Sequence, residues 1–347
     1  MEIAVRRLEE KDLASWDAFV SNHPEGTFCH RAGWKLVIEQ GANQKPVYLL
    51  AERDGIIVGI LPLAHRKSLL FGSALISTMF AVYGGPLASS DEAYDALDTA
   101  AWAYAVNEGI TALEYRSVRG RHHNNGGWKK DQAKSATFRG ALETDHDSIL
   151  AAIPRKQRAV VRKSLKAGLT CSWEKNIDIF YDLYAESVKN HGTPVFPKKL
   201  FKTFLEVFDQ DVEIQIIYAP DGSPLASLRS FYHDEYVLPY YAGGKAIARR
   251  YGAHDYMYFN LMLRAAERGK TKFDFGRSKL DTGPYKFKKN WGFEPTPLAY
   301  ETRLADGAVV TDLSPANQKF ELMVKIWKKL PLPVANFLGP PIARHLG

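Results

Sequence analysis

The sequence predicts an α+β protein in which two consecutive domains each contain a mixed sheet flanked by helices. Its length of 347 residues suits about two domains of ~150 residues each. Both halves run from a strand and helices, through several antiparallel strands, to a helix and a further strand. The composition is that of an ordinary globular protein, with 46% apolar and 24% charged residues, so each half can bury its own core.

Residues 1–150 are predicted to form the N-terminal domain. The segment IAVRRL is typical of a strand, and the helical spacing of the apolar residues that follow predicts a helix that Pro24 ends. Two apolar runs joined at Asp54-Gly55 predict a hairpin. The amphipathic segment DEAYDALDTAAWAYAVNEG predicts a helix closed by Gly109, and ITALEYRSV predicts the next strand.

Residues 151–305 are predicted to form the C-terminal domain, with the seam between the domains inside residues 140–165. Helices are expected over residues 176–190 and 197–208, followed by three antiparallel strands. A helix that Gly269 closes and the strand TKFDFG come next, and PLAYETRL is the last predicted strand. Residues 306–347 are expected to form an amphipathic helical tail.

Charge and cysteine content exclude several classes of protein. The formal net charge is only +7, from 46 basic and 39 acidic residues. The N-terminus lacks the apolar run of a signal peptide, and no window reaches the ~18 apolar residues that span a bilayer. Cys29 and Cys171 lie far apart without Cys or His neighbours, which argues against a disulfide framework or a zinc site. We therefore expect a cytoplasmic protein with reduced thiols.

The segment IPRKQRAVVRKSLKAGL, residues 153–169, is strongly basic and contains no acidic residue. On a helix, Arg155, Arg158, Arg162 and Lys166 share one face, while Val160, Val161 and Leu165 are expected to cover another. Such a helix repels itself unless anions approach it. Two interpretations stay open, a solvated linker helix and a contact for the phosphates of a donor or an RNA.

A second candidate site lies in YYAGGKAIARRYGAHDY, residues 240–256. Tyr240 and Tyr241 near the end of the strand are predicted to contact substrate. Arg249, Arg250 and Gly252 precede a helix whose first N–H groups could hold a phosphate. Arg249 and Gly252 fit the Arg/Gln-x-x-Gly-x-Gly/Ala pattern of the acetyltransferase pyrophosphate loop, but a histidine, residue 254, stands where Gly or Ala belongs.

The stretch DFGRSKLDTGPYKFKKNWGF, residues 274–293, combines five basic residues with aromatic residues. Lysine charge beside flat aromatic surface suits a phosphate together with a base or sugar. We predict a cationic, aromatic lid in which substrate is contacted by Arg277, Lys279, Tyr285 and Trp291. The alternative is a capping loop whose aromatic residues belong to the core.

Two smaller features complete the candidates. Lys198 and Lys199 begin a predicted helix, where the helix dipole disfavours cations, so this placement hints at a bound anion. The alternative is a solvated lysine pair. The histidines of RHHNNGG have no third ligand at a useful spacing, so we predict a loop there and no metal site.

These segments together resemble the FemAB-like transferases. The resemblance rests on residues 153–169, on GTPVFPKKLFKTFLEVF and on residues 249–293. It implies two tandem GNAT-like domains and an amide-forming transfer to an amine of a phosphate-bearing sugar or peptide acceptor, a peptidoglycan or exopolysaccharide precursor. Within the family, the chain looks most like the subgroup associated with exosortase (PEP-CTERM) loci. The co-substrate implied is aminoacyl-tRNA, with no tightly bound cofactor.

The resemblance also assigns residue roles. The segment from Phe287 to Gly292 matches the family's Phe-Lys-x-x-aromatic-Gly motif, which makes Lys288 the cation beside the donor ester and the developing oxyanion. Lys198, three residues before Phe201, corresponds to an acceptor-phosphate contact. By its placement, Asp274 is either the general base or the residue that holds the following loop.

Two other functions stay open. A coenzyme A-dependent GNAT N-acyltransferase would bind acyl-CoA at Arg249–Asp255, although the bulk of His254 disfavours close approach of a pyrophosphate. The third hypothesis is a non-catalytic polysaccharide-binding protein. The basic segments of the sequence argue against this hypothesis. The transferred group and the acceptor's identity are not specified by the sequence.

The tail NQKFELMVKIWKKLPLPVANFLG places apolar residues on one side of a helix and lysines toward the other. The apolar side comprises Phe320, Met323, Val324, Trp327 and Leu330. Residues 316–347 are expected either to rest on an anionic membrane surface, at the inner face of the membrane, or to pack on the second domain.

Overall fold

The computed structural model describes residues 2–68, 71–122, 127–130, 134–308 and 318–347. The α+β architecture predicted from the sequence is confirmed, with two mixed sheets and helices on their faces. The strands are β1 (Ala4–Arg7), β2 (Lys45–Arg53), β3 (Ile56–Ser68), β4 (Gly72–Ser77), β5 (Leu87–Ala88), β6 (Ala112–Ser117), β7 (Trp128–Lys130), β8 (Ser135–Ala141), β9 (Thr170–Glu174), β10 (Val212–Tyr218), β11 (Pro224–His233), β12 (Tyr236–Gly244), β13 (Lys272–Asp274), β14 (Ser278–Lys279), β15 (Pro295–Pro297) and β16 (Ala299–Leu304).

The helices are α1 (Leu13–Asn22), α2 (Trp34–Leu36), α3 (Asp91–Asn107), α4 (His146–Ala152), α5 (Arg155–Leu165), α6 (Ile177–His191), α7 (Lys198–Phe208), α8 (Ala248–Tyr251), α9 (Ala253–Glu267), α10 (Gly283–Asn290), α11 (Gln318–Lys329) and α12 (Leu332–Ala343). Local signals in the sequence explain many of their ends. The side chain of Ser90 caps α3 by accepting the N–H of Ala93, and that of Asn176 caps α6 in the same way.

The chain divides into two compact units whose bounds differ from the predicted domains 1–150, 151–305 and 306–347. The first unit comprises Met1–Lys134, Leu298–Asn317 and Pro341–Gly347, and the second comprises Ser135–Pro297 and Gln318–Pro340. β8 belongs to the second unit because it pairs with β13, more than 100 residues later in the chain. β16 returns to the first unit because it pairs with β6. Such distant pairings leave no local signal in the sequence.

The sheet of the first unit has the strand order β1-β2-β3-β4-β6-β16-β7, with β5 paired to β3. The pair β4–β6 is parallel and the other pairs are antiparallel. The hairpin β2–β3 turns at Asp54 and Gly55, which both have positive φ, as predicted from the Asp-Gly pair. A core of aliphatic side chains from the strands packs against the small residues of α3, among them Ala101 and Ala105.

The first unit also contains a charged cluster around His122. The imidazole lies 3.4 Å from the carboxylate of Asp98 and 3.3 Å from that of Glu301, and it stacks on Trp128 at 3.8 Å between ring centroids. Burial by itself lowers the pKa of His122, but the hydrogen bonds to the two carboxylates outweigh it and raise the pKa to about 9. The neighbouring histidine of RHHNNGG, residue 123, lies outside the described residues.

The sheet of the second unit has the order β14-β8-β13-β12-β11-β10-β9, and β15 also pairs with β8. The three predicted antiparallel strands are β10, β11 and β12. Among the strand pairs of this sheet in the described residues, β12–β13 is parallel and the others are antiparallel. The helices α6 and α7 contact strands on one face, and α9 covers the other. Alternate residues of β11 therefore point to two different layers, with Leu228 and Tyr232 under α9.

Candidate functional site

The parallel strands β12 and β13 part where the predicted lid begins. In the described residues they pair only at two positions, Tyr236 with Lys272 and Val237 with Phe273. β12 continues beside β11 as far as Gly244, whereas the chain after β13 turns toward β8, where Phe275 donates its N–H to the carbonyl oxygen of Phe138. Beyond Val237, the edge of β12 that faces β13 therefore has no strand partner among the described residues.

Lys288 lies on α10 and directs its ammonium group beneath the loop that follows β13. Its Nζ donates hydrogen bonds of 2.9 Å to the carbonyl oxygens of Gly276 and Arg277. Burial lowers the pKa of Lys288 to about 8, and the nearby carboxylate of Asp274 opposes that effect. An ammonium group has three N–H donors, and within the described residues only two of them have acceptors.

The carboxylate of Asp274 holds the same loop from its other side. It accepts hydrogen bonds from Thr137 Oγ1 at 3.1 Å, from Arg139 Nε at 2.7 Å and from the backbone N–H of Gly276 at 2.7 Å. The residue is buried, and Arg139 compensates its charge. Of the two predicted roles, this geometry favours the loop-holding role over that of general base.

The aromatic residues of the predicted lid form part of the core of the second unit. Trp291 is only 2% exposed and packs against Tyr258, Phe275 and Phe287 with centroids 6.1 to 6.3 Å apart. Trp291 directly follows α10 and its side chain lies in the core, and its contact with substrate stays a prediction. Half-buried Tyr285 stands edge-on to the ring of Phe138 at 5.1 Å.

The exposed part of the predicted lid is cationic. It consists of basic side chains on the loop and on the outer face of α10, namely Arg277, Lys279, Lys286 and Lys289. Lys288 is the buried lysine of this stretch, with 9% of its surface exposed. The structure thus separates one internal ammonium group, that of Lys288, from four surface cations.

Tyr240 and Tyr241 lie at an irregularity in the register between β11 and β12. Tyr241 pairs with Arg229 and is buried, with its ring 5.1 Å from that of Phe201. Its ring therefore belongs to the core, and its contact with substrate stays a prediction. Tyr240 is half-buried beside Phe231 and stays a candidate for substrate contact.

Arg229, in the middle of β11, is a fully buried residue that the sequence analysis missed. Its guanidinium carbon lies 5.0 to 5.4 Å from the ring centroids of Phe180, Phe201 and Phe204. Nη2 donates to the carbonyl oxygen of Phe201, while Nε and Nη1 have no hydrogen-bond partner among the described residues. Burial lowers the pKa of Arg229 to about 9. A lone arginine inside an otherwise uncharged strand was the available signal.

Lys198 begins α7 and is ion-paired with Asp178 of α6. Its ammonium also lies 5.4 Å from the ring centroid of Tyr181. The hydrogen bond from Lys198 lowers the pKa of the Asp178 carboxyl. The unfavourable cation at the helix start, which the sequence analysis took as a hint of a bound anion, is thus compensated by Asp178.

The basic segment after α4 forms α5, whose buried face consists of Gln157, Val161 and Ser164. Val160 and Leu165 were expected to be covered but are exposed, since they lie on the flanks of that face. The opposite side is a shallow groove lined by Arg155, Arg158, Ala159, Arg162, Lys163 and Lys166. The three residues predicted from the sequence to contact donor phosphate, Arg155, Arg158 and Arg162, therefore share one surface.

The cations of this groove differ in how they are engaged. Arg158 donates to the carbonyl oxygens of Ile153 at 3.0 Å and Ala151 at 2.7 Å, which closes the end of α4. Arg155 and Arg162 are exposed, and no acidic side chain of the described residues pairs with them. This surface can therefore receive a polyanion without first breaking ion pairs.

The predicted phosphate-binding turn before α9 is covered by α5. Gly252 has a φ of +65°, and a Cβ on it would lie 3.1 Å from the Cβ of Ser164. Gln157 donates a hydrogen bond of 2.5 Å to Asp255 in the first turn of α9. His254 is half-buried, and burial lowers its pKa. This crowding at the start of α9 disfavours a pyrophosphate there.

Arg249 and Arg250 project from α8 and are exposed.

No group of three or more His, Cys, Asp or Glu side chains suited to a metal ion is found in the described ranges. Within the same ranges, no helix combines the length and apolar character required to cross a bilayer.

Comparison with known proteins identifies the type of fold. Residues 155–289 match the family model of the acetyltransferase (GNAT) domain. This match lies entirely within the second unit. The sequence has no significant match among curated proteins.

Several solved structures share the fold of this protein over nearly the whole length of the chain. The crystal structure of FemX is 16% identical, with a TM-score of 0.68, and the match covers 88% of this chain and 98% of that one. The structure of L-PGS from Bacillus licheniformis is 13% identical, with a TM-score of 0.56 and coverage of 94% and 99%. A tandem GNAT protein from the clavulanic acid biosynthesis pathway is 14% identical, with a TM-score of 0.55 and coverage of 89% and 100%. The predicted GNAT fold is therefore confirmed.

Proposed function

We propose that this protein is an N-acyltransferase that moves an aminoacyl group from charged tRNA to an amine of a phosphate-bearing cell-envelope or exopolysaccharide precursor. The observation that carries the proposal is the buried ammonium of Lys288 beneath the loop that follows β13, where one of its N–H groups has no acceptor among the described residues. The likeness in fold to FemX agrees with the FemAB-like resemblance of the sequence, which implies this reaction class.

In this reaction the acceptor amine attacks the carbonyl carbon of the donor ester and a C–N bond forms. The tetrahedral intermediate carries an oxyanion, to which the third N–H of Lys288 donates. Collapse breaks the C–O bond, and the tRNA hydroxyl leaves with a proton while the amine loses one. A preorganised donor of this kind typically contributes 10²- to 10³-fold in rate. Because Asp274 is engaged by Arg139, we assign the proton of the amine to solvent or to the acceptor's own phosphate.

The basic groove of α5 would bind the donor's phosphates. Counterion release makes such binding steeply salt-dependent. The slope of log K against log salt becomes shallower by about 0.9 for each phosphate contact that is lost. The double variant Arg155→Gln/Arg162→Gln should therefore weaken the binding of tRNA. It should also make the salt slope shallower by the amount that about two phosphate contacts contribute. The matched control is Lys286→Gln/Lys289→Gln, which removes two exposed cations from α10 instead.

A second candidate is transfer from acyl-CoA, which the match to an acetyltransferase domain favours. Arg249 and Gly252 would then bind the pyrophosphate, and α5 would have to withdraw from the start of α9. The contact of Gln157 with Asp255 and the closeness of Ser164 to Gly252 count against this route.

The deciding experiment offers the purified chain radiolabelled aminoacyl-tRNA or acetyl-CoA together with amino-sugar and peptide acceptors, and measures amide formation. Transfer from tRNA alone supports the proposal. Transfer from acetyl-CoA alone, lost in Arg249→Ala, establishes the second candidate. If the chain neither binds nor consumes either donor, the result would support the alternative of a non-catalytic polysaccharide-binding protein.

A further inference from the structure

The helices α11 and α12 expose large apolar side chains in a number unusual for this protein. On α11, Leu322 is 63% exposed and Ile326 is 54% exposed, one turn apart on the same side, with Met323 beside them. On α12, Phe337 is 80% exposed, next to Val334 and Leu338. We name these six residues the apolar ridge. Exposed apolar side chains concentrated on two successive helices are typical of an interaction site.

The ridge is not the side by which α11 packs on the second unit. That inner side contains Val324 and Lys328, which lie against the end of α6, so that a Cβ on Gly192 would come within 2.5 Å of Val324 Cγ1. α12 is anchored in a similar way, because its Gly339 fits against Val195. The apolar side predicted from the sequence is therefore divided, since Val324 packs against the end of α6 while Met323 is exposed.

The charge beside the ridge is positive. Residues 318–340 contain four lysines and one glutamate, a net charge of +3. Lys325 and Lys329 are exposed on α11 next to Leu322 and Ile326. Lys325 forms an ion pair with Glu321 at 2.8 Å, whereas Lys329 has no acidic partner among the described residues. Apolar side chains flanked by lysines are suited to a surface whose interior is apolar and whose rim carries phosphates.

We propose that the apolar ridge and its flanking lysines bind the surface of an anionic lipid bilayer. Phe337, Leu322 and Ile326 insert at the level of the acyl-chain boundary, while Lys325 and Lys329 meet the phosphate groups. This proposal does not depend on the acyltransferase reaction, because neither helix contains a residue assigned to that chemistry.

The test is co-sedimentation of the full chain with vesicles of phosphatidylcholine, with and without phosphatidylglycerol. We expect binding to the anionic vesicles, weakened by salt and about fivefold by each of Lys325→Gln and Lys329→Gln. The triple variant Leu322→Gln/Ile326→Gln/Phe337→Gln should bind at least about tenfold more weakly. These residues are exposed, so the substitutions leave the core intact. The matched control is Ile56→Gln/Val106→Gln, which changes equally exposed apolar residues of the first unit.

Equal binding by the triple variant and the wild type would overturn the proposal, as would a failure of the wild type to bind anionic vesicles. Light scattering without lipid tests the other occupant of the ridge, a second copy of the chain. Self-association that the triple variant abolishes and the control variant retains would assign the ridge to a dimer contact and also overturn the proposal.

Discussion

The burial of Lys288 predicts a specific pH dependence of stability. Its pKa in the folded protein is about 8, compared with 10.5 for an unperturbed lysine. Between these values the unfolded chain holds a proton that the folded chain has released. The free energy of unfolding must therefore rise as the pH increases from about 8 to about 10.5. This sign is opposite to that of a lysine stabilised by an ion pair.

The magnitude follows from the same two values. The gap between 10.5 and about 8, at about 1.4 kcal/mol per pH unit, corresponds to about 3 kcal/mol over the whole window. Solvent screening reduces this little, because Lys288 is only 9% exposed. The change Lys288→Met removes the titrating group and keeps most of the side chain's length, so the variant should lack this rise.

The assay is urea unfolding of the wild type and of Lys288→Met at pH 7, 8, 9 and 10. The wild type should gain roughly 2 to 3 kcal/mol relative to the variant between pH 7 and 10. The matched control is Lys289→Met, which alters the exposed neighbour and should run parallel to the wild type. Parallel curves for the wild type and Lys288→Met would refute the reasoning, because they would mean that Lys288 keeps its ordinary pKa.

Three further predictions concern the fold. The stabilising contribution of His122 should be complete below pH 6.5 and be lost as the pH rises through about 9; an NMR titration midpoint near 6.5 would disprove the raised pKa. Arg229→Ala should lower the free energy of unfolding by about 3 to 5 kcal/mol, since it empties a large buried site, and a loss below about 1 kcal/mol in urea would contradict that role. Gly243→Ala should cost at least about 1 to 3 kcal/mol, because its Cβ would lie 2.5 Å from the α6 backbone, whereas Gly283→Ala, with open space around it, should be nearly neutral in thermal unfolding.

Features encoded by neighbouring residues could be predicted from the sequence. The hairpin at Asp54-Gly55, the three antiparallel strands of the second unit and the helices that end near Gly109 and Gly269 depend on turn residues and on apolar periodicity. The unit boundaries could not be predicted, because β8 and β16 pair with strands more than 100 residues away. No local pattern records which sheet a short strand joins.

The candidate site was predictable in composition but not in geometry. The sequence indicates a basic, aromatic stretch, yet it does not show that Lys288 turns inward while Lys286 and Lys289 face solvent. Likewise it identifies Lys198 as a cation at a helix start, but its partner Asp178 becomes visible only when α6 and α7 are packed together. Arg229 was missed because a single polar residue in a predicted strand is normally interpreted as exposed to solvent.

The measurement that tests the central claim most directly is the rate of amide formation by Lys288→Ala and by Lys289→Ala, with the donor found to be active. We predict that Lys288→Ala lowers kcat by about 10²- to 10³-fold, because it removes the N–H that meets the oxyanion, while Lys289→Ala retains wild-type activity. Circular dichroism and thermal unfolding would show whether each variant is folded. If folded Lys288→Ala transferred the acyl group at the wild-type rate, the assignment of Lys288 to the reaction would be contradicted.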